Sequence, residues 1–167
     1  LAGYPETQIA ANMTTMMKTG SNGHIDLTDR MTRYHDEVYG GYEKFKFDMI
    51  QADSYYFYTL FDSTSLTEKM LENLEKGVEN GYIYKADTLE ELAEQIGVNA
   101  ENLVKTVEAF NELVKGNGED EFGRAVYDHT IEVGPFWASA KQRPCLHHTM
   151  GGVKIDVDAR VIDTNGE

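Results

Sequence analysis

Hydrophobic and polar positions recur along this chain with a period that changes from stretch to stretch. His24-Ile25-Asp26-Leu27-Thr28 alternates and predicts a short strand; Arg33 to Glu37, after a polar turn, predicts a second. Ala52 to Phe61 ends in Tyr55-Tyr56-Phe57-Tyr58-Thr59-Leu60-Phe61, nearly all β-formers. An unbroken run of this kind predicts a strand covered on both faces, ended by Asp62-Ser63-Thr64. The period then becomes helical. Thr67 caps a segment carrying Met70, Leu71, Leu74 and Val78, with Gly77 and Gly81 near its end. Tyr82-Ile83-Tyr84 reads as a short strand. Thr88 with Glu91 forms a capping box that opens a helix with Leu89, Leu92, Ala93 and Ile96 on one side, stopped by Gly97. Asn99 opens another, with Leu103, Val104, Val107, Phe110, Leu113 and Val114 at helical spacing and Gly116 beyond it. The short connection predicts a helical hairpin whose apolar faces are core and whose glutamates face water. Phe136 to Ala140 reads as a strand. Val153 to Val157 and Arg160 to Ile162 read as a hairpin around Asp158-Ala159. Residues 1–22 carry little periodicity, and Met13, Met16 and Met17 read as adaptable packing. The predicted class is α+β: a small mixed sheet, a helical hairpin and long irregular connections.

Composition narrows the function. The 167 residues are 41% hydrophobic, with ten Tyr and seven Phe, enough for one folded domain with a real core. A formal net charge of −14 repels nucleic acid and anionic membranes, so neither is expected as a partner. The same charge opposes the steering of an acidic substrate by the protein as a whole; local cations would have to do that. Cys145 is the only cysteine, so no internal disulfide is possible. No apolar run reaches membrane-spanning length, and no membrane insertion by this chain is expected. The sequence starts at Leu1 and stops at the turn signal Asn165-Gly166-Glu167, which reads as a piece of a longer protein.

Leu146-His147-His148-Thr149-Met150-Gly151-Gly152-Val153 is where chemistry concentrates. Two imidazoles offer hydrogen-bond or proton donors near neutral pH. Two glycines without Cβ let another molecule reach the backbone. A plain turn with surface histidines is the alternative reading of the same residues. The five histidines are scattered and no metal site is predicted. There is no G-x-G-x-x-G, P-loop, C-x-x-C or H-E-x-x-H pattern.

From Thr88 onward the chain resembles the flavoprotein subunits related to fumarate reductase and soluble flavocytochrome c. The residues that carry the resemblance are Thr88-Leu89-Glu90-Glu91-Leu92-Ala93, Ile96-Gly97-Val98, Leu103 to Asn111, Asp120-Glu121-Phe122-Gly123-Arg124, Gly134 to Ala138, and His147 to Asp156, in matching order and spacing. Thr32 to Glu37 is similar to that family's G-x-R-F-x-N-E strand, and Tyr58 to Asp62 to the strand after it. The resemblance implies that residues 1–144 form a capping domain that closes over substrate. Residues 145–167 would then return to an FAD-binding domain mostly absent from this chain. It implies FAD as cofactor of the full-length protein, not held by this piece alone, with Gly151 and Gly152 approaching it. It gives His147, with His148 and Thr149 beside it, a place at a substrate carboxylate or carbonyl oxygen.

One departure matters. Where fumarate reductases carry an arginine acid, this sequence has Gly41, between Tyr39 and Tyr42. Tyr39 and Tyr42 read first as strand or turn aromatics and second as substitute proton donors; His35 and Lys44 are further candidates on the same segment. The expected function is therefore a part of an FAD-dependent, fumarate reductase- or succinate dehydrogenase-like oxidoreductase. It would transfer hydride between flavin and the activated C=C bond of an unsaturated acid or enone, with an electron-donor protein or domain as partner. The isolated piece is expected to be inactive. The alternative is a non-catalytic ligand- or partner-binding module derived from that cap. Bacterial cytoplasm and cell envelope both fit the full-length protein.

Overall fold

The computed structural model describes residues 24–34, 36–38, 41–64, 66–143, 152–164 and 166, with the side chains of 41–43, 45 and 46 outside the description. In chain order the elements are β1 (His24–Thr28), α1 (Gly41–Gln51), β2 (Phe57–Phe61), α2 (Glu68–Glu79), β3 (Ile83–Ala86), α3 (Leu89–Ile96), α4 (Ala100–Val114) and β4 (Phe136–Ser139).

Helix starts follow the capping chemistry. Thr67 accepts from the Met70 amide, the Thr88–Glu91 box is closed in both directions, and Asn99 accepts from the Asn102 amide. Each satisfies amide groups that a helix leaves without a partner inside itself. Gly97 ends α3 in the left-handed region, at φ 79°.

The strands lie in the order β1-β2-β4-β3, and every pairing is antiparallel. This corrects the mixed sheet expected from the sequence. β2 and β3, joined through α2, run parallel to each other. They never pair, because β4, arriving from far along the chain, inserts between them.

The sheet is covered on both faces, as the β2 run predicted; all five residues of β2 are buried. Tyr58 and Leu60 join Ile25, Leu27 and Ala138 in a core closed by Leu92, Leu103, Val107 and Phe110 of the α3–α4 hairpin. Phe61 and Trp137 pack with Leu74 of α2 on the opposite face. Phe57 packs there with Met49 of α1 and Tyr34. At about 25 cal/mol per Å² of apolar area, these contacts are the main stabilising term.

Three elements differ from the sequence reading. Among the described residues of Arg33 to Glu37 only Arg33 bridges, to Leu27, and none belongs to a strand. The Asp36 carboxylate accepts from the Val38 amide at 2.8 Å and turns the chain. The strand expected from Ala52 begins only at Phe57, because Ala52 and Asp53 still close off α1 with amide bonds to Asp48 and Ile50. The third is α1 itself, which the sequence did not predict. Its aromatic residues favour strands, and its face is set by Met49 packing on Tyr34 and Phe57. The tail turn forms as expected, with Ile155 bridging Val161 and the Ile162 amide donating to the Lys154 carbonyl at 2.8 Å.

β4 is set in place by a close approach. A Cβ on Gly134 would meet the Asp87 carbonyl oxygen at 2.8 Å, so glycine is required there. The Gly134-Pro135 peptide is cis. Among the described residues no helix is long and apolar enough to cross a membrane.

Candidate functional site

The histidine–glycine motif starts seven residues after β4 ends, and the described residues between them are held firmly. Gln142 exchanges both backbone hydrogen bonds with Phe57, extending the sheet by one bridge past β4. Its buried side-chain amide donates to Ser139 Oγ at 2.6 Å. Ser139 Oγ also accepts from the Thr59 amide at 2.9 Å, and Thr59 Oγ1 donates to Asp26 at 2.6 Å. Asp26, Thr59 and Ser139 are each at most 1% exposed. One buried polar seam therefore ties β1, β2 and β4 to the strand that delivers the motif. Satisfied networks of this kind add rigidity and a single register.

His147, His148, Thr149, Gly151 and Tyr39 lie outside the described residues, as does His35. Gly152 is described and exposed, and a Cβ there would meet nothing within 4 Å. Neither its backbone nor its described neighbours require glycine, which leaves open backbone for another molecule to approach. The backbone there is open to the approach of FAD that the resemblance implies. The sequence has no glycine-rich phosphate turn, so no other described residue is assigned to the cofactor. Tyr42 is in the first turn of α1, which corrects its reading as a strand or turn aromatic. Gly41 is the first residue of that helix and has no side chain to donate a proton. Lys44, on the same helix, is ion-paired with Asp48 at the surface.

The segment leading to Tyr39 and α1 is fixed by a second set of buried groups. Arg33 grips Glu37 with two parallel bonds, Nε to Oε1 at 2.8 Å and Nη2 to Oε2 at 2.7 Å, and reaches Asp120 at 2.6 Å. Arg124 donates to Glu37 Oε2 and to the His24 carbonyl, both at 2.9 Å. All four side chains are at most 7% exposed. Two cations and two carboxylates cancel, and the forked geometry is what a buried pair needs to offset its lost hydration. Phe110 lies under both guanidinium groups, at 5.5 and 5.1 Å.

These contacts reset the acidities. Burial pushes the Asp120 carboxyl up. The hydrogen bond and charge of Arg33, with the Phe122 amide and the Tyr127 hydroxyl, outweigh it and hold Asp120 below the usual carboxylate range. Tyr127, buried beside that carboxylate, is pushed up to about 12. Burial pushes Tyr34 up further, with Asp26, Glu37 and Asp48 adding to it, so that phenol stays protonated and cannot serve as a base at neutral pH.

The sign for stability follows. A carboxyl with a depressed folded pKa stabilises the fold above its ordinary value of 3.8, and that contribution is lost as pH falls through the lower folded value. Urea unfolding at pH 6, 4 and 3 should show the Asp120→Asn chain losing less stability across this range than the parent chain. Parallel losses would mean that Asp120 titrates normally.

The sequence reading quoted Arg33, Glu37, Asp120 and Arg124 but did not pair them. The partners are 87 residues apart, and the only local signal was the four-residue spacing of Arg33 and Glu37. Among the described residues there is no group of three or more His, Cys, Asp or Glu suited to a metal ion.

A third cluster precedes the motif in sequence. Lys141 Nζ and the Arg143 guanidinium lie over the ring of Tyr56, at 4.5 and 4.3 Å from its centre.

Comparison with known proteins places this geometry. The model of a family described as "FAD binding domain" matches residues 6–167. An NADH:acrylate oxidoreductase of Vibrio harveyi is 45% identical over 96 residues, covering 58% of this chain and 10% of that protein. A probable fumarate reductase, Ifc3, of Shewanella frigidimarina is 41% identical over 81 residues, covering 48% of this chain and 14% of that protein. The solved structure of the open conformation of a flavocytochrome c3 fumarate reductase superposes with a TM-score of 0.63 at 26% identity, covering 91% of this chain and 26% of that one. The chain thus spans a small fraction of the length of the relatives it matches.

Proposed function

Because this chain belongs to the FAD binding domain family, we propose that it serves an FAD-dependent reductase whose acceptor is a small unsaturated carboxylic acid of the acrylate type. The observation that carries this reading is the 45% identity with an NADH:acrylate oxidoreductase. The glycine at position 41 supports it: the residue at the start of α1 cannot act as the acid a fumarate reductase would place there.

In this reading residues 1–144 close over the substrate, and 145–167 lead back to the rest of the FAD-binding domain. FAD, when bound and reduced, would supply a hydride, that is two electrons and one of the two hydrogens. The chain's own residues orient the substrate and handle the proton. His147, beside His148 and Thr149, donates a hydrogen bond to the substrate carboxylate, whose oxygens gain charge as the C=C bond is reduced. Tyr42, or Tyr39, delivers the proton to the carbon next to that carboxylate. Gly151 and Gly152 let the backbone lie against the cofactor. The buried seam through Ser139 and the Arg33–Glu37–Arg124 network hold the two ends of the site at fixed positions. An electron-donor protein or domain reloads the flavin.

The test uses the full-length protein with its flavin reduced in the absence of oxygen. Reoxidation by acrylate or an aryl acrylate, and more slowly by fumarate, is the expected result. Faster reoxidation by fumarate than by acrylate would overturn the weight placed on Gly41. Absence of bound flavin from folded protein would overturn the oxidoreductase reading.

A further inference from the structure

Among the cations of this acidic chain, Arg33, Arg124, Lys85 and Lys115 each lie against a carboxylate. Lys141 and Arg143 differ. No described carboxylate is ion-paired with either, and both instead stand over one aromatic ring.

The backbone explains how. Phe57 and Gln142 pair across the sheet, so Tyr56 stands opposite Arg143 and Tyr58 opposite Lys141. Lys141 and Arg143 are two residues apart on extended backbone and therefore point to the same side. Both are exposed, while Tyr56 is half-buried beneath them. An Arg143 Nη2 hydrogen bond to Tyr56 Oη fixes the guanidinium in place. The ring attracts both cations but adds no negative charge to cancel them. The result is a fixed double positive charge on a chain of net charge −14. Two like charges this close repel each other, and an anion shared between them relieves that repulsion.

Position gives the patch a use. Arg143 is four residues before His147, and four residues of chain span at most about 14 Å. We propose that Lys141 and Arg143, stacked on Tyr56, form the cationic landing site that draws the substrate carboxylate towards the His147 turn against the negative field of the rest of the chain. The proposal rests on the functional reading above, since it needs an anionic substrate.

The experiment compares acrylate with uncharged methyl acrylate as oxidants of the reduced full-length protein, at roughly 10 mM and 1 M ionic strength. There the screening length falls from about 30 Å to about 3 Å. At about 14 Å in water, two unit charges alter the local concentration of a monoanion about three-fold. Screening at about 30 Å trims this, so the Lys141→Gln/Arg143→Gln double variant should lower the acrylate to methyl acrylate ratio of kcat/KM about two-fold at low salt, with no difference between the proteins at high salt. Arg143→Lys keeps the charge and should hold the ratio near the parent value. Turnover of methyl acrylate shows that each variant is folded and loaded. An unchanged ratio in the double variant at low salt would overturn the landing site and leave the functional reading standing. A parent protein that neither ester nor acid reoxidises would overturn both.

Discussion

His147→Ala in the full-length protein should slow reoxidation of the reduced flavin by acrylate about 100-fold, the scale seen when one aimed hydrogen-bond donor is removed from a developing oxyanion. The donor acts on an oxygen whose charge grows during the reaction, so the loss falls on kcat as well as on kcat/KM. Flavin content should match the parent protein, because the assigned contact is to substrate. His147→Gln retains an N–H donor and should recover part of the rate. Stopped-flow reoxidation at saturating acrylate checks this. A variant that matches the parent in kcat would remove His147 from the site and return the motif to a plain turn.

Glu37→Ala should cost about 3–5 kcal/mol of folding stability, the usual penalty for leaving a buried charge without its partner. The carboxylate is shared by Arg33 and Arg124, and its side chain is fully buried. Removing it takes from both guanidinium groups the carboxylate they share, while Arg33 keeps Asp120. For a domain of ordinary stability, this is a third of the total or more. Urea unfolding of the chain, followed by fluorescence of Trp137, its only tryptophan, measures it. Glu37→Ala combined with Arg124→Met should cost less than the sum of the single changes, because the second removes a charge that the first has stranded. A loss below about 1 kcal/mol for Glu37→Ala would mean that the network behaves as solvated surface pairs.

The two predictions rest on different kinds of information. The proposal for His147 starts from a local signal: imidazoles close to glycines before an alternating stretch. The helices α2, α3 and α4 were legible for the same reason, since Thr67, Thr88 and Asn99 each satisfy backbone amides within three residues of themselves. Local hydrogen bonding of this kind needs no tertiary partner.

Glu37 is different. Its sequence context reads as a strand, and its partner Arg124 is distant in sequence. Its burial follows only once Phe110 and Phe122 close around the arginines. Helix α1 was hidden likewise: Tyr, Phe and Phe in its sequence argue for strand, and packing of Met49 overrode that preference. The run from Tyr55 to Phe61 announced a strand with two covered faces. It did not announce which neighbour it pairs with, because strand partners are chosen by surfaces that meet only after the chain has collapsed.

The sequence by itself therefore determined the capped helices, the two-sided β2 and the family, and it motivates the proposal for His147. Each is encoded within a few residues or in a recurring order of motifs. Tertiary structure alone decided that β4 inserts between β2 and β3, that four charges cancel in the interior, and that Lys141 and Arg143 share one ring. Those outcomes depend on distances between residues far apart in sequence, which hydrophobic collapse and hydrogen-bond satisfaction set together.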